Sequence, residues 1–313
     1  MRPSRSAGVA LITALLVVAI ATSLAVSLAV RQNQSIQFTG SLQLTDQARE
    51  LARSGLDLAL FVLSEDAGDV DGPADAWAQE LSALPLEIGT LSVQVIDLQG
   101  RLNLNNLVDA EGKVDPVARA RVDRLLAVLE LDPALTDRIV DWIDPDNLPA
   151  PRGAEDASYA GRNPPHRAGN RPLRSVSTLR LLEGLDAEGF ARLAPHVAAL
   201  PRGTALNLNT TSAEVLRALG DGIMPTAREV DAEDRMPENH ESVDAALRAR
   251  GIDPAGLTPQ RLGVRSAYFL VDLRVELAPS RLRLLALVHR PADGPATVIA
   301  RTFESCLNDI SCI

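Results

Sequence analysis

The chain has 313 residues, a formal net charge of −10 and a pI near 5.0, enough length for one large domain or two ordinary ones. Its acidity argues against a nucleic-acid binder, which needs a positive face to meet phosphates, and an aromatic content of 3% argues against stacking platforms for bases or sugars. The two cysteines, Cys306 and Cys312, both lie at the C-terminus; outside the cytoplasm they could pair across a small loop, and otherwise they are two thiols on a tail.

Residues 1–8 are short and basic, with Arg2 and Arg5, and residues 9–30 then run without a charged side chain up to Arg31. A helix of that length satisfies its own backbone hydrogen bonds in lipid and can cross a hydrocarbon core. Arg2 and Arg5 predict that the leading end stays in the cytoplasm and that everything after Arg31 lies outside. Three readings fit this segment. A cleaved secretory signal would have a shorter apolar region followed by a small-x-small site. A simple signal anchor fits the length. The third reading places a cut before the apolar run, between Gly8 and Val9. The order of basic residues, glycine and uninterrupted apolar helix in SAGVALITALLVVAIATSLA resembles a type IV prepilin leader, which a peptidase on the cytoplasmic face cuts after glycine. The chain departs from that pattern at the fifth mature position, usually glutamate and here Thr13.

The helical pattern continues beyond Arg31. Leu44, Ala48, Leu51, Ala52, Gly55, Ala59 and Leu63 recur at spacings of three and four and form one apolar stripe. One helix over residues 9–64 would be roughly 80 Å long, with lipid around its first half and a soluble domain against its second. Residues 65–85 are acidic and contain Gly and Pro, which reads as a surface loop leading into a short helix. Residues 91–98 alternate and are rich in β-branched side chains; after a turn at Gln99-Gly100, residues 101–105 alternate again, so a hairpin is expected here.

From about Pro116 to Leu262 the periodicity is helical and no convincing strand occurs. Helices are expected over residues 117–129, 133–143, 177–182, 187–197, 212–219 and 242–250, with Asp132-Pro133, Ser175 and Thr211 or Ser212 as starts. After Gly263 the strands return as a three-stranded antiparallel meander over residues 269–277, 281–290 and 296–303. The long helix needs a cover for its stripe, and a sheet with one apolar face supplies it. The expected fold is therefore α+β: a long N-terminal helix packed on an antiparallel sheet, with a large all-α domain inserted between the sheet's two sequence halves. The expected divisions are a leader at 1–8, a membrane part at 9–30, a first sheet-bearing part at 31–104, the insertion at 105–265 and the second sheet-bearing part at 266–313.

The densest chemistry-bearing stretch holds four carboxylates, Asp144, Asp146, Glu155 and Asp156, in a Gly- and Pro-rich loop. Calcium takes about six to eight oxygen ligands at a flexible site, which carboxylates and loop carbonyls can supply. The spacing is not that of an EF-hand. The plain alternative is a solvated acidic loop; a more remote one is a pair of carboxylates acting as acid and base on a glycoside. The basic segment from Arg162 to Leu173 could lie against this loop, and its His166 reads as a surface residue rather than a ligand. LNLNTTSAEVL, residues 206–216, reads as a capped helix start. It also resembles the opening of a helix-hairpin-helix module of competence-type DNA-binding proteins, but residues 221–238 downstream are acidic rather than basic.

Across nearly the full length the chain resembles the minor pseudopilin K family of the type II secretion system. The residues that carry this are GVALITALLVVAIAT at 8–22, GRLNLNNL at 100–107, DWIDPD at 141–146, GAEDASY at 153–159, NRPLRSVSTLRLL at 170–182, LNLNTTSAEVL at 206–216 and SAYFLV at 266–271. The resemblance implies a non-enzymatic subunit with a pilin-like α+β domain and a large helical insertion. It implies cleavage at Gly8-Val9 by a prepilin peptidase, methylation, and a single-pass inner-membrane anchor with the rest of the chain in the periplasm. It implies a place at the tip of a short pseudopilus on an inner-membrane secretion platform, with minor pseudopilins I and J as partners and no nucleic acid. It also implies calcium binding, for which Asp144, Asp146, Glu155 and Asp156 are the expected ligands. At the tip, Thr13 would be understandable, because the usual glutamate is thought to pair with a neighbour ahead that a tip subunit lacks. Two other readings compete: a membrane-anchored periplasmic metal-dependent hydrolase that uses the acidic loop, and a competence-like DNA receptor.

Overall fold

A computed structural model describes residues 5–66, 68–220, 238–257, 260–278 and 280–305, with side chains from residue 11 onward. The expected thiol pair, Cys306 and Cys312, and the acidic stretch at 221–237 lie outside the described residues, as do the side chains of Gly8 and Val9.

The N-terminal helix α1 spans Arg5–Glu65, 61 residues, about 90 Å at 1.5 Å per residue. It is long and apolar enough to cross a membrane. Its first half is not covered by any other element among the described residues: Leu11, Val17, Leu24 and Leu28 are all more than half exposed. Its last turns are different. Ala48, Ala52, Leu56, Ala59 and Leu63 are buried against a sheet, with Leu44 and Leu51 packed at the margin. The small residues set the distance. At Gly55 an added Cβ would stand 2.5 Å from Leu273 Cδ2, so the missing side chain lets the helix lie close on the sheet.

That sheet has five strands in the order β1-β2-β7-β8-β9: β1 (Leu81–Leu86), β2 (Gly89–Asp97), β7 (Tyr268–Leu277), β8 (Ser280–His289) and β9 (Thr297–Ser305). Every neighbouring pair is antiparallel. Period-two alternation sends Phe269, Val271, Leu273 and Val275, then Leu282, Leu284, Ala286 and Val288, onto the face that covers α1. On the other face of β7, Asp272 is buried under Arg283, which donates through Nε and Nη2 at 2.9 Å each. The last three strands form the expected meander.

The first hairpin differs from its expectation. It is β1–β2, joined by a two-residue turn at Glu87-Ile88. Pro85 lies in β1, at the sheet's edge, where a strand without a full set of donors is tolerated. Gln99-Gly100 is not a hairpin turn. Asp97 Oδ1 accepts from Gln99 N at 2.7 Å and starts a single 3₁₀ turn, and Gln99 Nε2 then donates to Ala205 O at 2.9 Å. Residues 101–105 therefore leave the sheet. Leu102–Asn103 (β3) pairs in parallel with Val197–Ala198 (β4), and Leu206–Asn207 (β5) with Leu262–Gly263 (β6). The insertion is thus mostly helical rather than wholly so.

Among the described residues its α-helices are α2 (Pro116–Val128), α3 (Ala134–Ile143), α4 (Asp156–Tyr159), α5 (Ala187–Leu193), α6 (Ala213–Arg217) and α7 (Val243–Ala249). Of the expected starts, Ser212 accepts from Val215 N–H and Asp132 from Ala134 N–H; Asp115, which accepts from Val117 and Ala118 N–H, and Ser242, which accepts from Ala245 N–H, cap α2 and α7 in the same way. The segment at 176–181 is 3₁₀ rather than α, capped by Ser175. Leu104, Leu107, Leu125, Leu126, Ile139, Ile143 and Tyr159 form a core of their own, separate from the one under α1. The insertion leaves the sheet after β2 and returns at β7, which pair with each other over eight residues.

The seam between the two cores is polar. Asn207 Nδ2 reaches Asp71 O (3.1 Å), Asp97 Oδ2 (3.0 Å) and Ser266 Oγ (2.9 Å). Asp71, fully buried, accepts from Ser266 N at 2.7 Å and pairs with Arg290, which also holds Asp66 at 2.8 Å. Inside the insertion, Asn105 closes a second junction: its Oδ1 accepts from Leu173 N (2.7 Å) and its Nδ2 donates to Leu173 O and Leu200 O (2.9 Å each).

Candidate metal centre

The centre is built on the C-terminal end of α3. Leu135, Ile139, Trp142 and Ile143 are anchored in the insertion core, which fixes the helix end. Asp144 still donates its N–H to Val140 O at 2.9 Å, and Pro145 follows, so the helix stops there. Asp141, one turn back and 1% exposed, straps the next loop down: its carboxylate accepts from Ala150 N at 3.1 and 3.2 Å. The chain lies so close that a Cβ on Gly153 would be 1.8 Å from Asp141 Oδ2. This strap returns the loop to the helix end and sets Glu155 beside Asp144.

One oxygen from each of Asp144, Asp146 and Glu155 lies within 4.8 Å of the others. Asp144 and Glu155 are buried, Asp146 exposed. Asp144 Oδ1 and both Glu155 carboxylate oxygens are buried without a hydrogen-bond partner among the described residues. Burial first, and the neighbouring carboxylates second, push Asp144 up to about 6 and Glu155 up to about 7. Buried acceptors with nothing to accept from are costly. Here they converge, so a hard divalent cation fits the donor set: it would answer the orphaned lone pairs and the mutual repulsion together.

Asp156, the fourth carboxylate of the loop, is engaged elsewhere. Its Oδ1 accepts from Ala168 N at 2.9 Å and Arg167 Nε lies 3.9 Å from Oδ2, so it holds the basic segment down. That segment does lie against the acidic loop. Asn170, at φ +43°, donates from Nδ2 to Asp146 O at 2.6 Å and leaves its Oδ1 buried and unbonded. Asn170 is thus a neutral oxygen donor beside the cluster that carboxylate counting missed; the signal available was an asparagine in an irregular Gly/Pro-rich stretch. His166 turns its ring nitrogens to Pro164 O (3.1 Å) and Leu181 O (3.2 Å) and packs its ring on Tyr159, away from the carboxylates.

A second acidic group, Asp66, Asp71 and Asp75, is equally tight, but Arg290 already supplies its positive charge. At the other end of the molecule, Thr13 lies on the exposed part of α1.

Comparison with known proteins agrees with this architecture. A profile of the family described as "Type II secretion system (T2SS), protein K" matches residues 100–202, which include Asp144, Asp146 and Glu155. The type II secretion system protein K of Pseudomonas aeruginosa is 38% identical over 94% of this chain and 92% of its own length. That of Aeromonas hydrophila is 31% identical over 95% and 97%. The crystal structure of the GspK-GspI-GspJ complex from enterotoxigenic Escherichia coli superposes with a TM-score of 0.73 at 25% identity, covering 85% of this chain and 99% of the matched one.

Proposed function

Since the chain belongs to the type II secretion system protein K family, and so has a minor pseudopilin role, we propose that it sits at the tip of the pseudopilus, where it starts or caps assembly for the export of folded proteins across the outer membrane. The observation that carries this is the insertion. A domain with its own core emerges between two adjacent, paired strands of the pilin-like sheet and adds bulk that would obstruct the stacking of another subunit above. The long exposed helix supports a single anchor in the inner membrane, with the sheet and insertion in the periplasm and the helix as the assembly element. Pseudopilins I and J are the partners, by analogy with the complex of the Escherichia coli relative. The maturing enzyme is a prepilin peptidase that cuts after Gly8 and leaves a methylated Val9. The relatives carry the names of secretion-system proteins rather than of enzymes, which supports a non-enzymatic role. Asp144, Asp146 and Glu155 hold a structural calcium ion that clamps the loop after α3, with Asn170 beside them.

Mass spectrometry of the mature N-terminus tests the assembly reading. The expected product begins at a methylated Val9. Recovery of intact Met1, or of a cut beyond Val30, would remove it. Co-expression with pseudopilins I and J followed by purification in detergent tests the partners, and a chain recovered alone would remove them.

A further inference from the structure

The segment packed on the loop after α3 carries a run of unopposed positive charge on an acidic molecule. Between residues 162 and 180 there are five arginines and no Asp or Glu, on a chain of net charge −10. All five are exposed. Arg162 donates to Leu181 O at 3.4 Å, and Arg180 sits 4.0 Å over the Phe190 ring. Arg167 lies 3.9 Å from Asp156, with its side chain 86% exposed. Arg171 and Arg174 make no hydrogen bond or ion pair among the described residues.

The backbone that bears these arginines is fixed. Ala168 N is bonded to Asp156, and Gly169 lies against Trp142, where a Cβ would stand 2.6 Å from Nε1. Leu173 is buried in the insertion core and bonded to Asn105, and Pro172 stiffens the stretch between Arg171 and Arg174. Asp146 joins the segment to the metal loop: its O accepts from Asn170 Nδ2 at 2.6 Å and its Oδ1 from Leu148 N at 2.8 Å. Leu148 is 77% exposed, more than any other large apolar side chain among the described residues. One residue of the candidate metal centre thus holds both an outward leucine and the neighbour of Arg171. Side chains presented from a fixed backbone lower the ordering cost of binding.

We propose that Leu148, Arg167, Arg171 and Arg174 form a docking surface for an acidic peptide segment of a partner protein, held in shape by the cation at Asp144, Asp146 and Glu155. The metal part rests on the calcium reading above: a cation there fixes Asp146, and through it Leu148 and Asn170, and offsets carboxylates that would repel an acidic ligand. Charge complementarity selects carboxylates, which guanidinium forks meet two oxygens at a time. Several forks beside an exposed leucine call for several carboxylates with an apolar side chain among them, as a peptide supplies. A nucleic acid would bring a dense run of phosphates against a chain of net charge −10. Lipid headgroups around residues 9–30 are out of reach. Asp71 N, just past α1, is bonded to Val264 O at the insertion's exit, so the insertion joins the far end of that helix. Residues 31–65 put roughly 50 Å of helix in between, well beyond the ~8–10 Å over which a headgroup's charge acts.

The test uses the full-length chain in detergent and, as probe, a fluorescein-labelled peptide of alternating glutamate and leucine, read by fluorescence anisotropy. With calcium, the wild type is expected to bind the peptide and Arg171→Gln/Arg174→Gln to bind it about tenfold more weakly, the factor that two exposed charge pairs together can supply. Leu148→Ser should weaken binding about threefold, and Arg53→Gln, exposed on α1, should leave it unchanged. The double variant should melt with the wild type, because neither arginine has a bond inside the chain to lose. EDTA should weaken wild-type binding about as much as the double variant does. Equal binding by wild type and double variant overturns the surface, whatever calcium does. Equal binding in calcium and in EDTA overturns its dependence on the metal. Calcium that leaves the wild-type melting temperature unchanged removes the metal reading itself, which is a separate failure. If polyphosphate or phosphatidylglycerol vesicles bind through Arg171 and Arg174 while the peptide does not, the ligand is not an acidic protein segment and the proposal is overturned.

Discussion

Asp144 and Glu155 bring carboxylate oxygens within 4.8 Å of each other at the foot of α3, both buried and both with oxygens that accept no hydrogen bond. Such a pair is held together by the loop strap on Asp141 rather than by attraction between its members. A divalent cation would reverse the sign of that interaction. Calcium is therefore expected to raise the melting temperature; at a concentration about 100-fold above its dissociation constant the gain is about 2.7 kcal/mol. The double variant Asp144→Ala/Glu155→Ala should lose this response. Calorimetry with and without EDTA reads it, and an unchanged response in the double variant would place the ion elsewhere.

The same pair sets a pH dependence. In the folded, metal-free chain Asp144 sits at about 6 and Glu155 at about 7, both above their ordinary carboxylate values. The folded state thus binds protons more tightly than the unfolded state. The stability they contribute is fully present below the ordinary carboxylate pKa and is lost as pH rises through about 6 to 7. In EDTA the melting temperature should carry this falling contribution between about pH 4.5 and 7.5, and Glu155→Gln should flatten its upper part. Calcium competes with these protons, so its increment should be larger at pH 7.5 than at 5.5. Equal increments at the two values would show that the ion does not displace them.

Gly55 faces Leu273 at the closest approach of α1 to the sheet. Gly55→Leu overfills that contact and is expected to cost about 1–3 kcal/mol in denaturant unfolding. Ser54→Leu, on the neighbouring exposed position, is the control and should cost little. Equal effects at the two positions would mean that the close approach is not what Gly55 provides.

Arg290→Met leaves Asp71, fully buried, with its backbone donor but no counter-charge. A loss of about 3–5 kcal/mol is expected, as for other buried pairs broken from one side. Chemical denaturation measures it, and a change below about 1 kcal/mol would place little weight on the seam.

Thr13→Glu puts a carboxylate into the apolar run of α1. On the proposed tip reading it has no neighbour ahead to pair with and would cost about 2.5–3.5 kcal/mol on insertion scales. The proposed processing after Gly8 should be the same in the variant and the wild type, and the number of pseudopili and the secreted protein should fall. Wild-type values of both would show that Thr13 carries no positional information.

Much of the acidic cluster was legible locally. Acidic residues flanking a Gly- and Pro-rich loop that holds Pro145 and Gly153 are visible as a pattern, and three of the four named carboxylates come together. Asp156 was indistinguishable from its neighbour Glu155 in sequence, because which of two adjacent carboxylates turns inward is settled by Ala168 N, a donor that the chain brings from another loop. Asn170 was missed for the same reason. The hairpin misplacement has a similar source: residues 101–105 alternate as a strand would, yet Leu102 and Leu104 are drawn into the insertion core, and Asn105 is bonded to Leu173 and Leu200.

By itself, the sequence determined what depends on near neighbours along the chain: an apolar helix long enough to cross a membrane, its small-residue stripe, the capped helices, the closing meander and the acidic loop. These follow from periodicity and capping, which act over a few residues. The tertiary structure alone decided which strand pairs with which, how the insertion is bolted to the sheet through Asn207, Asp97, Asp71 and Arg290, and which carboxylates share one point. Those choices depend on donors and apolar faces far apart in the chain, and they exist only once both cores have formed.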